Sequence, residues 1–387
     1  MGNKSKKFST KCVHEGEIKD TMYQGIVSPL FMSTTYPWFG GDDPEKKPYP
    51  RYFNTPNQEF LSKKIASLEN GEKALIFTSG MAAISTSIMA NVKTGDHIVV
   101  QNDIYGGTRN FVLTEFDKFG IEYSFTDGLD PSSFSDQIKD NTVGIYLETP
   151  SNPLLKIVDL KSVSSIAKDN GVWTMIDNTF SSPVNQNPID HGIDIVLHSA
   201  TKYLGGHSDI SAGAVVSTES RIEQILNSAK NFGGNLSDYT VWLLERSIKT
   251  LHIRVKEQTN NAKTLAKMLD ENTNISKVYY PGLDSHPSHE IAKSQMNDFG
   301  GMMSFDLNNN IDVYDFLKSL NLVKPGMSLA GVETTVNFPM KTSHGLMTQK
   351  ERDIQGIGDK LIRLSVGIES YEDIYEDLDQ AIKSSIK

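Results

Sequence analysis

The chain of 387 residues is too long for one small core, so two or three domains are expected. A formal net charge of −10 argues against nucleic acid as the main partner, because binding of phosphates needs clustered Lys and Arg. The single cysteine, Cys12, excludes an intrachain disulfide, and no apolar run is long enough to span a bilayer. We therefore expect a cytoplasmic protein that has no membrane contact.

The first segment, residues 1–55, shows no sustained hydrophobic period and carries many aromatic residues and prolines. A segment this irregular does not form a core of its own. We expect it to be an N-terminal arm that packs on another part of the subunit or on a partner.

Strand and helix patterns alternate over residues 56–250. The predicted strands are KALIFTS, DHIVV, EYSF, GIYLE, VWTMID, IDIVLH and AGAVV, with helical patterns such as Leu160 to Lys168 between several of them. This alternation predicts an α/β domain with a mostly parallel sheet that is covered on both faces. Ligands of such sheets gather at the carboxyl ends of the strands.

A long helical pattern, Leu236 to Leu269, leads out of this large domain. Strand-like runs at SKVYY and GGMMSFDL follow, and the chain ends in a helical pattern from Tyr371. We place the domain change near residue 250, so residues 251–387 are expected to form a smaller C-terminal α/β domain.

Two glycine-containing turns follow predicted strands. Gly80 and Met81 begin a helix whose free amides would suit an anion such as phosphate, although this turn alone is more typical of an ordinary helix cap by Ser79. Tyr105 lies on a loop with Gly106 and Gly107, where the phenol could stack on an aromatic ring or be a plain loop residue.

Three more strand ends carry polar residues. Asn152, between two prolines, is either a rigid ligand contact or part of a turn. Asp177 ends a buried strand, where a carboxylate needs a cation such as a protonated pyridine nitrogen, or else caps a helix. Lys202 follows the apolar run Ile193 to Leu197 and has the hydroxyls of Ser199 and Thr201 beside it. It could be a solvated amine or could form an imine with a phosphorylated aldehyde cofactor.

Together these features are more specific than each one alone. An aldehyde cofactor with a ring nitrogen and a phosphate needs a lysine, an aspartate, a stacking aromatic ring and a phosphate site, and all four occur in one predicted domain.

Several stretches carry a family resemblance: TKCVHEG, SPLFMSTTY, SGMAAI, YGGT, ETPSNP, IDNTF, HSATKYLGGHSD, SLAGVET and LIRLSVGIE. Over nearly its whole length, the chain resembles the pyridoxal-phosphate enzymes of cysteine and methionine metabolism. The family includes cystathionine lyases and synthases, methionine γ-lyase and O-acylhomoserine sulfhydrylases.

The resemblance implies the aspartate-aminotransferase-like fold and a homotetramer made of two tight dimers. It implies that Lys202 is the imine lysine and the base that removes the Cα proton, and that Asp177 holds the pyridine nitrogen protonated. Tyr105 would stack on the ring and assist proton transfer. The phosphate would be bound by Gly80, Met81, Ser199 and Thr201.

The resemblance also gives roles to residues outside the predicted strand ends. Tyr49 and Arg51 would reach from the arm to the phosphate in the neighbouring subunit. Arg363 would hold the substrate carboxylate, a bidentate task that suits arginine, with help from Asn152 and Ser328.

Some positions depart from the family pattern. Cystathionine γ-lyases and γ-synthases commonly have a glutamate where this chain has Met327, and methionine γ-lyases have a cysteine in place of Gly107. The order Asn54-Thr55-Pro56 reverses the usual last two residues, which leaves the local turn uncertain. His286 and His289 lack a third ligand nearby, so no metal is assigned.

The expected function is therefore a carbon–sulfur lyase of small amino-acid substrates, of the cystathionine type. A γ-replacement enzyme (cystathionine γ-synthase or O-acylhomoserine sulfhydrylase) and a methionine γ-lyase are alternatives within the family. A member that keeps the fold without catalysis is the alternative from another class. The sequence does not decide between β- and γ-elimination, or between elimination and replacement.

Overall fold

The computed structural model describes residues 6–40, 47–345 and 347–387. Residues 1–5 and 41–46 of the predicted arm lie outside the described residues. Within the described part, a seven-stranded sheet is built from β1 (Lys73–Phe77), β2 (His97–Gln101), β3 (Glu122–Thr126), β4 (Thr142–Glu148), β5 (Trp173–Asp177), β6 (Ile195–His198) and β7 (Gly213–Ser217). All seven correspond to strands predicted from the sequence.

The strand order is β1-β7-β6-β5-β4-β2-β3. Strand β7 runs antiparallel to both of its neighbours, and the pairings among β6, β5, β4, β2 and β3 are parallel. Alternate residues of β4 enter different cores, because Ile145 and Leu147 pack in one apolar cluster and Tyr146 packs in another. The predicted fold class, a mostly parallel sheet buried on both faces, is confirmed.

The helices that accompany this sheet are α1 (Phe8–His14), α2 (Pro56–Leu68), α3 (Gly80–Ala90), α4 (Gly106–Phe119), α5 (Ser132–Ser135), α6 (Leu160–Asp169), α7 (Ser182–Asn185), α8 (Glu219–Phe232) and α9 (Asp238–Ile248). Short 3₁₀ turns lie at Pro50–Tyr52 and Pro188–His191. The uncertain turn before α2 is a regular helix start, because Thr55 and Gln58 form a capping box and Pro56 is the first helical residue.

The predicted arm contains a helix that the sequence pattern does not indicate. Helix α1 has seven residues, too few to establish a hydrophobic period. It is fixed by tertiary contacts: Cys12 is fully buried in the first core, and the buried Lys64 ammonium donates to the carbonyl oxygens of Cys12 and Val13.

A second sheet follows in the C-terminal part. Its described strands, in the order β10-β11-β12-β9-β8, are β8 (Ile275–Tyr279), β9 (Met302–Leu307), β10 (Lys324–Pro325), β11 (Thr335–Asn337) and β12 (Leu361–Ser365). Its helices are α10 (Leu251–Asp270), α11 (His289–Gln295), α12 (Val313–Ser319), α13 (Gln349–Gln355) and α14 (Tyr371–Ser384), and a 3₁₀ turn lies at Pro339–Lys341. No helix in the described ranges is long and apolar enough to cross a membrane.

The predicted single helix from Leu236 to Leu269 is wrong, because the structure has two helices, α9 and α10, in this range. The hydroxyl of Thr250 donates to the Ser247 carbonyl oxygen, and the Arg254 guanidinium donates to the same oxygen. These bonds compete with the helical backbone ladder and end α9 without a glycine or proline. Helix α10 then contributes Leu251 and Val255 to the first core, and its later residues pack in the core of the second sheet.

Candidate active site

Lys202 lies in a turn four residues after β6, and its amine points into a cavity. The turn is closed by hydrogen bonds from the Lys202 amide to the Ser199 carbonyl (3.0 Å) and from the Gly206 amide to the Lys202 carbonyl (2.7 Å). The Nζ atom donates to the Ser328 hydroxyl oxygen at 2.6 Å. Burial, assisted by the positive charge of Arg363, lowers the pKa of Lys202 to about 8, while Asp177 opposes the shift. A neutral, nucleophilic amine is therefore accessible near physiological pH.

Arg363 projects from the middle of β12 and is 4% exposed. Its Nη1 donates to the Asn152 side-chain oxygen at 2.8 Å and its Nη2 donates to the Ser328 carbonyl oxygen at 3.2 Å. The buried Nε has no hydrogen-bond partner within the described residues. Burial lowers the pKa of Arg363 to about 10, so the side chain stays protonated at neutral pH. A fixed guanidinium with an unused N–H is suited to a carboxylate.

Ser328 is hydrogen-bonded to both Lys202 and Arg363. Its hydroxyl accepts from Lys202 and its carbonyl oxygen accepts from Arg363. The residue has a left-handed backbone (φ +79°), and Ala330 beyond it is left-handed as well (φ +63°). The Ala330 amide donates to the Ser365 hydroxyl at 2.6 Å, which ties this loop to the end of β12.

Asp177 is the last residue of β5 and is 6% exposed. Its Oδ1 accepts from the Thr179 amide at 3.0 Å. Burial raises the pKa of the Asp177 carboxyl, and the hydrogen bonds of Thr179 and the charges of His198 and Lys202 act in the opposite direction. A buried carboxylate of this kind gains from a cationic ligand group, so its chemistry fits a protonated ring nitrogen.

The predicted phosphate site lies at the start of α3. Gly80 and Met81 are the first two residues of this 11-residue helix, and the Ser79 hydroxyl accepts from the Ala82 amide at 3.1 Å. Ser79 is therefore a helix cap, and the amides of Gly80 and Met81 at the helix start would suit an anion. A Cβ atom at Gly80 would lie 2.7 Å from the Ser199 Cβ, so only glycine allows this close approach.

The hydroxyl of Thr201, which is predicted to bind the phosphate, is already hydrogen-bonded within the protein. Its hydroxyl donates to the Ala212 carbonyl oxygen at 3.1 Å and accepts from the Ala212 amide at 3.0 Å. The hydroxyl hydrogen is therefore already used, and donation to a phosphate requires Thr201 to give up its bond to Ala212.

One cavity of about 310 Å³ brings most of the predicted site residues together. Its lining includes Gly80, Met81, Tyr105, Asn152, Asp177, Ser199, Thr201, Lys202, Ser328 and Arg363. Met327 also lines it and is 76% exposed at its rim. The strand ends and the C-terminal sheet thus meet at one place, as the parallel sheet predicts.

Other polar lining residues are not singled out by the sequence pattern. They are Glu148, Thr179, Asn337 and Ser343. Glu148 and Thr179 lie at strand ends, in the stretches ETPSNP and IDNTF that carry the family resemblance. The expectation that ligands gather at the carboxyl ends of strands, which applies to Asp177, applies to them as well. Asn337 ends a three-residue strand and Ser343 lies in an irregular segment, where no periodic pattern exists.

Tyr49 and Arg51 are not brought to this cavity by their own chain. They line a separate surface depression together with Trp38, Lys47, Pro48 and Tyr52. The Arg51 guanidinium lies 5.8 Å from the ring centre of Tyr49 and 5.3 Å from that of Tyr52, and its Nη1 donates to the Lys230 carbonyl oxygen at 2.7 Å. Within the described part of the chain, no group of three or more His, Cys, Asp or Glu side chains could hold a metal ion.

The model of the family described as Cys/Met metabolism PLP-dependent enzyme matches residues 9–383. The chain belongs to this family. The predicted family resemblance is confirmed, and the chain is a pyridoxal-phosphate-dependent enzyme. The cavity fits that cofactor, since it combines the amine of Lys202, the buried carboxylate of Asp177 and the helix start at Gly80.

Curated relatives within this family cover almost the whole chain. A cystathionine beta-lyase of Lactococcus lactis subsp. cremoris (strain MG1363) is 41% identical over 97% of this chain and 99% of its own length. A cystathionine gamma-lyase of Bacillus subtilis (strain 168) is 40% identical over 98% of this chain and 100% of its own length.

A solved structure of the family has the same fold. It is cystathionine gamma synthase from Xanthomonas oryzae pv. oryzae in complex with cystathionine. It matches with a TM-score of 0.95 and 36% identity, over 99% of both chains. The relatives of this chain therefore include proteins named as lyases and a protein named as a synthase.

Proposed function

We propose that this protein is a cystathionine lyase, which cuts a carbon–sulfur bond and yields a thiol amino acid, a 2-oxo acid and ammonia. The observation that carries the proposal is that the half-buried amine of Lys202 and the buried guanidinium of Arg363 both donate hydrogen bonds to one residue, Ser328. Such a pair can hold an amino-acid carboxylate at Arg363 while its α-carbon faces Lys202. The substrate is inferred from the two curated relatives, both of which are named cystathionine lyases.

The proposed roles follow the contacts of each residue. Bound pyridoxal phosphate supplies an aldehyde carbon for the substrate amine and a ring that accepts the electron pair left at Cα. Arg363, held by Asn152, orients the substrate carboxylate. Lys202, held by Ser328, takes the proton from Cα, since its lowered pKa leaves part of the amine neutral. Tyr105, 43% exposed at the mouth of the cavity, serves proton transfer to the departing sulfur.

Within this proposal, Met327 counts against a γ-synthase, and it counts in the same way against a γ-lyase. Its uncharged thioether side chain lines the cavity and is 76% exposed at the rim. The rim therefore offers no carboxylate at this position for the distal amino group of a substrate. The distal half of the substrate is expected to be held by weaker, less specific contacts.

Product analysis tests the proposed function. The protein, loaded with pyridoxal phosphate, is incubated in turn with cystathionine, methionine, cysteine and an O-acylhomoserine plus a thiol. We expect a visible absorption band on loading, and 2-oxo acid and ammonia from cystathionine. A three-carbon oxo acid indicates a cut at Cβ and a four-carbon acid indicates a cut at Cγ. A thioether formed from the O-acylhomoserine, with no oxo acid from cystathionine, would contradict the lyase assignment.

We further propose a homotetramer of two tight dimers in which Tyr49 and Arg51 complete the phosphate site of the neighbouring subunit. The segment that carries the arm exposes large apolar side chains, and Ile26 and Phe39 are each 95% exposed. Exposed apolar surface of this extent favours burial against another chain.

The division into residues 1–55, 56–250 and 251–387 and the cytoplasmic location stay predictions. A single, buried, unpaired Cys12 favours the latter.

Mixed dimers test the shared site. Arg51→Ala and Lys202→Ala variants, each inactive alone, are mixed under conditions that allow subunit exchange. If the site is shared, half of the dimers are mixed and each has one intact site, so recovery of about a quarter of the wild-type activity is expected. No recovery after exchange, verified by mass spectrometry of differently tagged subunits, would show that Arg51 does not complete the site of the neighbouring subunit.

A further inference from the structure

Glu148 is a buried carboxylate that lines the cavity and has no role in the function proposed for Lys202 and Arg363. It ends β4, is 4% exposed and lies opposite Asp177 in the strand register. Its Oε2 accepts a hydrogen bond from the Tyr105 backbone amide at 2.7 Å. This contact joins the end of β4 to the residue that carries the phenol at the cavity mouth.

The contact lies at the start of α4. Tyr105 directly precedes this 14-residue helix, and the Arg109 amide donates to its carbonyl oxygen at 3.0 Å. Amides at a helix start lack partners within the helix, and an anion beside them is stabilised by the helix dipole. Glu148 therefore supplies, from a neighbouring strand, the acceptor that fixes the backbone at this point.

The phenol ring of Tyr105 lies against the first turn of α4. A Cβ atom at Gly107 would be 2.5 Å from the Tyr105 Cε1, so the ring is in contact with the backbone there. A Cβ atom at Gly106 would be 2.5 Å from the Ser343 carbonyl oxygen. Because the ring is seated on this turn, a rotation of the backbone at Tyr105 moves the phenol oxygen relative to Lys202.

We propose that Glu148 is a positioning residue, which fixes the Tyr105 phenol over the cavity by holding the Tyr105 backbone amide. The proposal rests on the proposed function, because it takes Tyr105 as the group that serves the departing sulfur. The proposal makes different demands on the length of the side chain and on its charge. A residue that holds an amide needs an acceptor oxygen at the right distance, whereas an electrostatic partner of Arg363 needs a negative charge.

Electrostatics are consistent with a role that does not need the charge. Burial and the neighbouring Asp177 raise the pKa of the Glu148 carboxyl well above its ordinary value, and the amides of Tyr105 and Asn152 oppose this shift. The ionised and the protonated carboxyl both keep an oxygen that can accept from the Tyr105 amide. An uncharged side chain of equal length should therefore replace Glu148.

Two variants separate the two requirements. Glu148→Gln keeps the length and an acceptor oxygen but removes the charge, and Glu148→Asp keeps the charge but is one methylene shorter. In the cofactor-free protein, hydrogen–deuterium exchange of the 105–109 amides should stay near the wild-type rate in Glu148→Gln. It should rise about 10- to 100-fold in Glu148→Asp, the size expected when an amide is left without its hydrogen-bond acceptor.

Kinetics of the loaded enzyme supply the second measurement. The kcat/KM for cystathionine should stay near wild type in Glu148→Gln and fall about 10- to 100-fold in Glu148→Asp. The Tyr105→Phe change is then introduced into the wild type and into Glu148→Asp. If Glu148 acts through the Tyr105 phenol, these two proteins should differ much less in kcat/KM, because the phenol oxygen is absent from both. Glu245→Gln, the same change at a buried carboxylate of α9, is the matched control and should leave exchange of residues 105–109 unchanged.

Three results would overturn the proposal: full activity in Glu148→Asp with a loss in Glu148→Gln, unchanged exchange in Glu148→Asp, or an undiminished effect of Glu148→Asp beside Tyr105→Phe. The exchange measurement is made without cofactor or substrate, so it tests the contact even if the wild-type protein lacks lyase activity. An active wild type with unaffected variants would remove the role of Glu148 and leave the proposed function standing.

Discussion

Replacing Lys202 with alanine is expected to lower turnover by about 10²- to 10⁴-fold or more, the contribution of a positioned acid–base group. Among the described residues, Lys202 is the only lysine that lines the cavity, and its amine is already held by Ser328 at 2.6 Å. No other amine of the described residues lines the cavity and could take its place. The rate of 2-oxo acid formation from cystathionine measures the effect, and unchanged thermal unfolding shows that the fold is intact.

Two further variants identify the cause of the loss. Lys202→Arg keeps the positive charge but has no nucleophilic amine, so it should be as inactive as Lys202→Ala. A small primary amine in solution should restore part of the activity of the alanine variant. Lys263→Ala removes a lysine that pairs with Asp298 outside the cavity and should keep wild-type turnover. Substantial activity of Lys202→Ala without added amine would refute the assigned role.

Replacing Arg363 with alanine is expected to lower kcat/KM by about 10²- to 10³-fold, which corresponds to ~3–4 kcal/mol for the loss of one partner of a buried ion pair. Arg363→Lys should recover only part of this, because an ammonium cannot keep the bonds to Asn152 and Ser328 while it also binds a carboxylate at two points. Steady-state kinetics with cystathionine measure both losses.

The assignment of Arg363 to the carboxylate has a direct check. The affinity of the loaded protein is compared for an unreactive amino acid and for the matching amine without the carboxylate. Wild type should prefer the amino acid, and Arg363→Ala should lose that preference. Arg221→Lys, a change at an arginine that pairs with Asp194 away from the cavity, should keep it. An equal preference in wild type and Arg363→Ala would show that the carboxylate binds elsewhere.

The large sheet could be predicted because each of its strands is a short apolar run between helical patterns. The same reasoning failed where local hydrogen bonds override periodicity. Helix α9 ends where the Thr250 hydroxyl and the Arg254 guanidinium donate to the Ser247 carbonyl oxygen, although no glycine or proline interrupts the apolar pattern. Helix α1 was missed for a related reason, since its contacts with α2 are distant in sequence.

The site was predictable to the extent that it follows strand ends. Asp177 and Lys202 both follow predicted strands, whereas the role of Arg363 is indicated only by the family resemblance. The pairing of Lys202 and Arg363 on Ser328 was not predictable, because it depends on how the loop after β10 approaches the large sheet. Ser343 also reaches the cavity from an irregular segment, whose backbone approaches Gly106 closely.

The left-handed backbone of Ser328 implies a trade-off between stability and activity at this position. At φ +79° glycine would relieve backbone strain, which costs on the order of 1–3 kcal/mol for other residues. Glycine would also remove the hydroxyl that holds Lys202. A selection for thermostability alone would therefore favour glycine at residue 328, whereas a selection for turnover would retain serine.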